Sequence, residues 1–171
     1  FRSIPGNPNS LSANAVRSVY QDSKKNLWVG NYSDGLDRMV MSDPGKVFHY
    51  KCNPLIPNTI NSNYVTSILV DSKERLWVGT FDKGFCHADN INYLSHLFFK
   101  RFLYEQNVEV QDFTEDAAGN IWVGTQWGFY IYDYSSDKLI HYGDLENQLT
   151  ALQEINIQSV LYEPPNTFWI A

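Results

Sequence analysis

Four acidic side chains recur along this sequence, each six residues before a tryptophan: Asp22 and Trp28, Asp71 and Trp77, Asp116 and Trp122, Glu163 and Trp169. Carboxylates in series invite a reading as general acids and bases. An active site rarely needs one acid per repeat, so the regularity favours a structural role. A carboxylate that ends a strand can accept backbone N–H groups of the turn that follows. Four histidines raise a metal reading: His49, His87, His96 and His141. His49 and His141 hold equivalent places, each before a tyrosine, and equivalent places in separate units are expected to lie far apart. Surface or packing roles follow. No HExxH, no metal-type cysteine pair, no acidic calcium loop and no serine-nucleophile signature is present. Cys52 and Cys86 are expected to be free thiols. The sequence therefore points to no catalytic residue, no metal and no cofactor.

The elements that carry these residues form a repeat. The tryptophans are separated by 49, 45 and 47 residues, a period that belongs to propellers or solenoids. Each unit reads as short alternating strands separated by Gly, Pro, Asn, Asp and Ser. Gly30, Gly79 and Gly124 follow their tryptophans by two, where a missing side chain permits close backbone approach or a bulge. Gly35, Gly84 and Gly128 then begin the next strand in a turn role. The tryptophans are expected to fill the space between sheets, each N–H needing a partner once buried. Trp169 is included in that expectation, with Trp28, Trp77 and Trp122.

Four tight antiparallel strands per unit favour a propeller over a solenoid of parallel strands. The expected fold is all-β: a β-propeller fragment of about three complete four-stranded blades, with partial blades at both ends. Residues 1–15 read as the end of a preceding blade, beginning with an aromatic strand. Blades follow at 16–51, 65–103 and 110–142, and a further one starts at 157–171. Strands are predicted over 97–102 in the second blade and over 157–161 in the last. A short helix is allowed at 146–152.

Composition narrows the function. The chain has 171 residues, 15% aromatic, with a net charge of −6. No basic block exceeds two residues, which argues against nucleic-acid binding through phosphates. No apolar run is long enough to span a membrane as a helix. The sequence starts and stops inside a repeat and reads as a piece of something larger. Its blades cannot close a ring, so edge-to-edge dimerisation or membership of a larger propeller is expected.

The motif V-x-S-[VI]-x-x-D-x-x-x-x-L-W-V-G-[TN], at Val16–Asn31 and Val65–Thr80, resembles the two-component regulator propeller repeats. The sequence departs from that pattern at Asn31 (usually Thr), Phe85, Phe129, Glu163-Pro-Pro and Ala171. The resemblance implies a periplasmic sensor region of a hybrid two-component system of the Bacteroidetes type. Such regions are seven-bladed, commonly two in tandem, and precede an immunoglobulin-like domain, a membrane helix and a histidine kinase. It also implies carbohydrate sensing.

A propeller ligand would meet the loops at one end of the blades. The turns between second and third strands offer Tyr32, Asp34, Phe81, Asp82 and Trp127. The loops that enter first strands offer Asn63 and Tyr64. Trp127 stands outside the tryptophan repeat. An aromatic beside amides and carboxylates is the composition of a sugar platform, although it also suits packing on a neighbouring blade. Competing readings are a glycan-active enzyme, for which Asp34 and Asp82 are the candidate acids, and a protein-interaction scaffold.

Overall fold

The computed structural model describes residues 1–43, 45–91, 97–144 and 155–171. The first sheet holds β1 (Val16–Gln21), β2 (Leu27–Asn31), β3 (Leu36–Met39) and β4 (Val47–Tyr50), side by side in chain order. The second holds β5 (Val65–Val70), β6 (Leu76–Thr80), β7 (Phe85–Ala88) and β8 (Phe99–Phe102). The third holds β9 (Val110–Glu115), β10 (Ile121–Thr125), β11 (Gly128–Asp133) and β12 (Lys138–His141), followed by a 3-10 turn at Tyr142–Asp144. β13 (Val160–Glu163) and β14 (Thr167–Ile170) pair in a fourth sheet. Every pairing is antiparallel. First strands contact first strands, β1 on β5, β5 on β9 and β9 on β13, so these line the inner side of the fan. This is a β-propeller fragment.

The repeated acid does more than cap a turn. Asp22 Oδ1 accepts the backbone N–H of Lys24 at 3.0 Å and of Asn26 at 2.8 Å, and its Oδ2 accepts the Trp28 indole N–H at 3.1 Å. Asp71 repeats this with Lys73, Arg75 and Trp77, and Asp116 with Ala118, Asn120 and Trp122. Glu163 keeps only the indole bond, to Trp169, at 2.7 Å. One carboxylate thus closes the first hairpin and fixes the ring that fills the gap to the next blade. Trp28 and Trp77 are fully buried and Trp122 is half-buried against Phe129, Tyr142 and Phe168. Trp169 differs from the expectation of a core residue: it is 60% exposed, because no described sheet packs over it.

The glycines two residues on set the spacing of the blades. A Cβ on Gly30 would lie 2.7 Å from Val65 Cγ1, one on Gly79 the same distance from Val110 Cγ1, and one on Gly124 the same distance from Ile157 Cγ2. Gly30 and Gly79 receive the residue that opens the next inner strand, and Gly124 receives Ile157, three residues before β13. A bulge in the inner strand falls beside each of the three glycines, between Val16 and Ser18, between Val65 and Ser67, and opposite Gly124–Thr125. The glycine contact is therefore the interblade joint.

Three expectations are corrected. Residues 1–3 form no strand, the Ser3 N–H being taken by Asn14 Oδ1 at 2.8 Å, but the loop after them folds as the later one does. Ser10 Oγ accepts the Ile4 N–H at 2.9 Å as Thr59 Oγ1 accepts that of Asn53 at 3.0 Å, and Leu11 is buried against Val29, Met39 and Val47. β8 begins at Phe99 rather than Leu97. β13 begins at Val160 rather than Ile157, since the N–H groups of Gln158 and Ser159 both converge on the Ala171 carbonyl and break the ladder there. The helix expected at 146–152 lies outside the described residues, as does His96. Among the described residues no helix is long and apolar enough to cross a membrane.

Gly79→Ala should cost about 2 kcal/mol by overpacking against Val110. Gly45→Ala, where a Cβ meets nothing within 4 Å, should stay within about 0.5 kcal/mol of the parent. Urea unfolding of the two variants checks the pair.

Candidate functional site

The hairpin turns between second and third strands and the loops entering first strands gather at one end of the blades. Each Gly that opens a third strand has a positive φ, and at Gly35 (φ 81°) any side chain would strike the Tyr50 carbonyl. The Gly35 N–H donates to the Asn63 carbonyl at 2.9 Å, the Gly84 N–H to Val108 at 2.8 Å and the Gly128 N–H to Ile155 at 2.8 Å. Turn and loop are thereby locked to one another, and this end of the fan is rigidly built.

Tyr32, Tyr64 and Phe81 come together there. With Arg17 and Thr66 of the inner strands they line a crevice of about 50 Å3. Tyr32 and Tyr64 meet edge to face at 5.9 Å, and the three rings are 56, 43 and 51% exposed. Arg17 reaches across to Glu109 at 3.5 Å, spanning from the first blade to the third. Trp127 is also exposed and occupies the corresponding turn of the third blade, but it is not a wall of this crevice. Its carbonyl lies 3.3 Å from His141 Nε2. Asp34 pairs at the surface with Ser33 and Lys51. Asp82 carries one buried carboxylate oxygen that has no partner among the described residues. Asn63 also clasps the loop: its side-chain oxygen accepts the Cys52 N–H at 2.8 Å while its carbonyl holds Gly35.

The opposite end carries a larger opening that the sequence reading did not single out. Between the second and third blades lies a cleft of about 730 Å3, walled by Lys73 and Arg75 from the β5–β6 turn, by His87, Asp89 and Lys100, and by Tyr132, Tyr134 and Asp137. Arg75 Nε donates to Asp71 Oδ2 at 2.6 Å, and its guanidinium lies over Trp77, Tyr132 and Tyr134. His87 is the cross-strand partner of Trp77, at a ring separation of 4.6 Å. Burial drives the His87 pKa down to about 4, with Asp89 opposing the shift and Arg75 and Lys100 reinforcing it. Burial, and a hydrogen bond from its hydroxyl to Asp137, push Tyr132 up to about 12. The Asp137 carboxylate, bonded by Tyr132 and then by Lys100, is held below the usual range. A signal for this cleft did exist, in places where the repeats disagree: Asn26, Arg75 and Asn120 are equivalent, as are Arg38, His87 and Ile131 opposite the tryptophans.

One constellation tests the enzyme reading. Ser12 Oγ lies 2.9 Å and Asp37 Oδ1 2.6 Å from His49, but both contact the same ring nitrogen, Nδ1. Nε2 points to the Pro8 carbonyl at 2.8 Å. Activating a serine needs hydroxyl and carboxylate on opposite nitrogens. Here the three groups tie residues 8–12 onto the first blade. Both cysteines are free; Cys86 is buried, which pushes its thiol up to about 12.

The chain matches the two-component regulator propeller family over residues 10–33, 59–82 and 104–127. No curated protein sequence gives a significant match. Similar solved structures include the extracellular domain of a candidate hybrid two-component system from B. thetaiotaomicron (TM-score 0.69, 21% identity, 95% of this chain and 21% of that one). PorZ, a surface component of the type-IX secretion system of Porphyromonas gingivalis, is similar over 93% of this chain and 25% of that one (TM-score 0.66, 19% identity). Virginiamycin B lyase from Staphylococcus aureus is similar over 92% of this chain and 48% of that one (TM-score 0.64, 13% identity). These likenesses establish the fold, and this chain spans a quarter or less of the first two proteins and about half of the third.

His87 gives the site a measurable pH signature. Its folded pKa lies below the unfolded value of about 6.5, so its contribution is full above that value and is lost as pH falls through the folded pKa of about 4. The loss should reach about 2–3 kcal/mol. In His87→Phe, the fall in unfolding free energy between pH 7.5 and pH 4 should be smaller by about that amount. An unchanged pH dependence would contradict the assignment.

Proposed function

We propose, from the match of residues 10–33, 59–82 and 104–127 to two-component regulator propeller repeats, that the chain forms part of the periplasmic sensor region of a two-component receptor. Its ligand is an oligosaccharide, and the signal passes to a histidine kinase located elsewhere in the receptor. The observation that carries this reading is the crevice of Tyr32, Tyr64 and Phe81 at the mouth of the inner strands. Half-exposed aromatic rings offer faces on which sugar CH groups stack. Arg17, paired with Glu109, and Thr66 stand beside them with donors and acceptors for hydroxyls, and Asp34 belongs to the same turn as Tyr32. The rings come from three separate loops of two blades, so one ligand contacts both blades. Trp127 extends the platform toward the third.

The reading is a binding one, with no chemistry on the ligand. The geometry of Ser12, His49 and Asp37 argues against a nucleophile, and Asp34 and Asp82 lie in different blades, Asp34 beside Ser33 and Lys51 and Asp82 with one buried oxygen unpartnered among the described residues. We also propose that further blades, from the same protein or from a second copy, cover the fourth sheet, where Leu161 and Trp169 are each 60% exposed.

Tyr64→Ala should weaken oligosaccharide binding at least about tenfold, the loss of one stacked ring, and Trp127→Ala should weaken it too. Neither should change the melting temperature, since both rings are exposed. Calorimetry against a panel of neutral oligosaccharides is the measurement. Unchanged affinity in both variants would remove the crevice as the site.

A further inference from the structure

The cleft between the second and third blades lies at the end of the fan opposite the aromatic crevice, and three of its side chains are unusual for a propeller groove. Arg75 is 93% buried by its 7% exposure, yet its Nη2 has no hydrogen-bond partner among the described residues. His87 is 4% exposed, and neither ring nitrogen has a hydrogen-bond partner among the described residues. Asp89 Oδ1 comes to 3.4 Å from His87 Nδ1, an ion pair only when the ring is charged. Buried donors without acceptors are costly. They are retained where something else supplies the acceptor.

The electrostatics say what that is. Lys73 Nζ lies 3.6 Å from the centroid of the Tyr134 ring, and the Arg75 guanidinium 4.9 Å from the same ring. Two cations therefore converge on one aromatic ring. Asp71 is committed to Arg75 Nε, the Trp77 indole and two backbone N–H groups. Asp137 is committed to Lys100 and Tyr132. Lys73 has no carboxylate partner among the described residues. The wall of Lys73 and Arg75 thus carries one cation more than its carboxylates neutralise, with an Nη2–H left to donate. A planar guanidinium and a point ammonium side by side suit an anionic oxygen group. Across the cleft, Asp89 and the His87 ring offer acceptors and a donor suited to hydroxyls.

The repeat itself shows that Arg75 is not there to build the blade. Asn26 and Asn120 hold the equivalent position, and each side-chain amide donates to its own repeat acid, at 2.9 Å to Asp22 Oδ2 and at 3.1 Å to Asp116 Oδ2. Asparagine therefore satisfies the frame, and arginine adds a charge and a donor that the frame does not use.

We propose that this cleft is a second binding site, for a small hydroxylated molecule bearing an oxyanion, carboxylate or phosphate, held between Lys73 and Arg75. The site is separate from the aromatic crevice and does not depend on it.

The test titrates the chain with three compounds of matched size: glucose, gluconate and glucose 6-phosphate. Binding is read from the ring resonances of His87 by 1H–15N NMR. Gluconate, glucose 6-phosphate or both should move the His87 signals with saturation, while glucose does not. Which of the two binds more tightly assigns carboxylate or phosphate. Lys73→Gln and Arg75→Asn should each weaken the response at least about tenfold. Arg75→Asn is chosen because two blades already fold with asparagine there. The proposal is overturned if none of the three compounds shifts His87, if glucose binds as well as the anions, or if both variants respond as the parent does. The Tyr64→Ala variant should bind the anion unchanged, which separates failure of this site from failure of the crevice.

Discussion

The bond from an indole N–H to a carboxylate six residues earlier is the constraint on which this fold turns. It joins the two ends of a hairpin, so it fixes the register of the first and second strands. It also fixes the ring plane of the residue that fills the gap between blades. In the second blade the same carboxylate takes two backbone N–H groups, the Arg75 Nε–H and the Trp77 indole. Four donors match the lone pairs of an ionised carboxylate, which is how a fully buried charge becomes tolerable. Removing the acid would leave a buried indole N–H and two turn amides unpaired together. Removing the indole would leave a cavity and an underused charge. The pair is retained as a unit for that reason.

From this constraint the interblade packing follows. With the tryptophan ring fixed, the backbone two residues on must come close to the next inner strand, and only glycine leaves room for Val65, Val110 or Ile157. The side chain directly across from each tryptophan is then presented to the neighbouring blade. In the first blade it is Arg38, which donates to the Ile91 carbonyl at 2.6 Å and lies over Trp28. In the second it is His87, facing the cleft; in the third it is Ile131, packed in the apolar cluster with Phe129 and Tyr142. One invariant frame therefore produces an ion-to-carbonyl strap, an open polar cleft and a dry contact, by a single substituted position.

How much of this was legible in the sequence depended on repetition. The tryptophan period named the fold, and the acids and glycines were read as turn and joint residues because their spacing is shared. What the spacing could not show was the partner of each group. The need for an indole partner was evident, but its identity as the acid six residues back required the hairpin to be folded. The loop position of Asn63 beside Tyr64 was legible, but not that its two oxygens hold Cys52 and Gly35. The rings of Tyr32, Tyr64 and Phe81 were expected at one end of the blades and meet there, since loop position fixes the end. The cleft stayed invisible because its walls come from turns about 60 residues apart, Lys73 and Tyr134, and no local pattern announces that two turns of adjacent blades will oppose each other. A comparison of equivalent positions, Asn26 with Arg75 and Asn120, would have flagged it.

The crevice and the cleft lie at the two ends of the same strands. β5 runs from Tyr64 and Thr66 at one end to Asp71 and the Lys73 turn at the other. Gly30 and Gly79 hold the blades in contact so close that sliding of one sheet along another would drive valine methyls into backbone. Such joints do not deform continuously; they permit a small rotation of one blade against the next or nothing. A ligand in the crevice contacts the first and second blades, and one in the cleft contacts the second and third. In the proposed sensor, each would influence the rest of the receptor only through its differential affinity for arrangements of those blades. The second blade, shared by both, is thus the part of the chain through which occupancy at either end has to act.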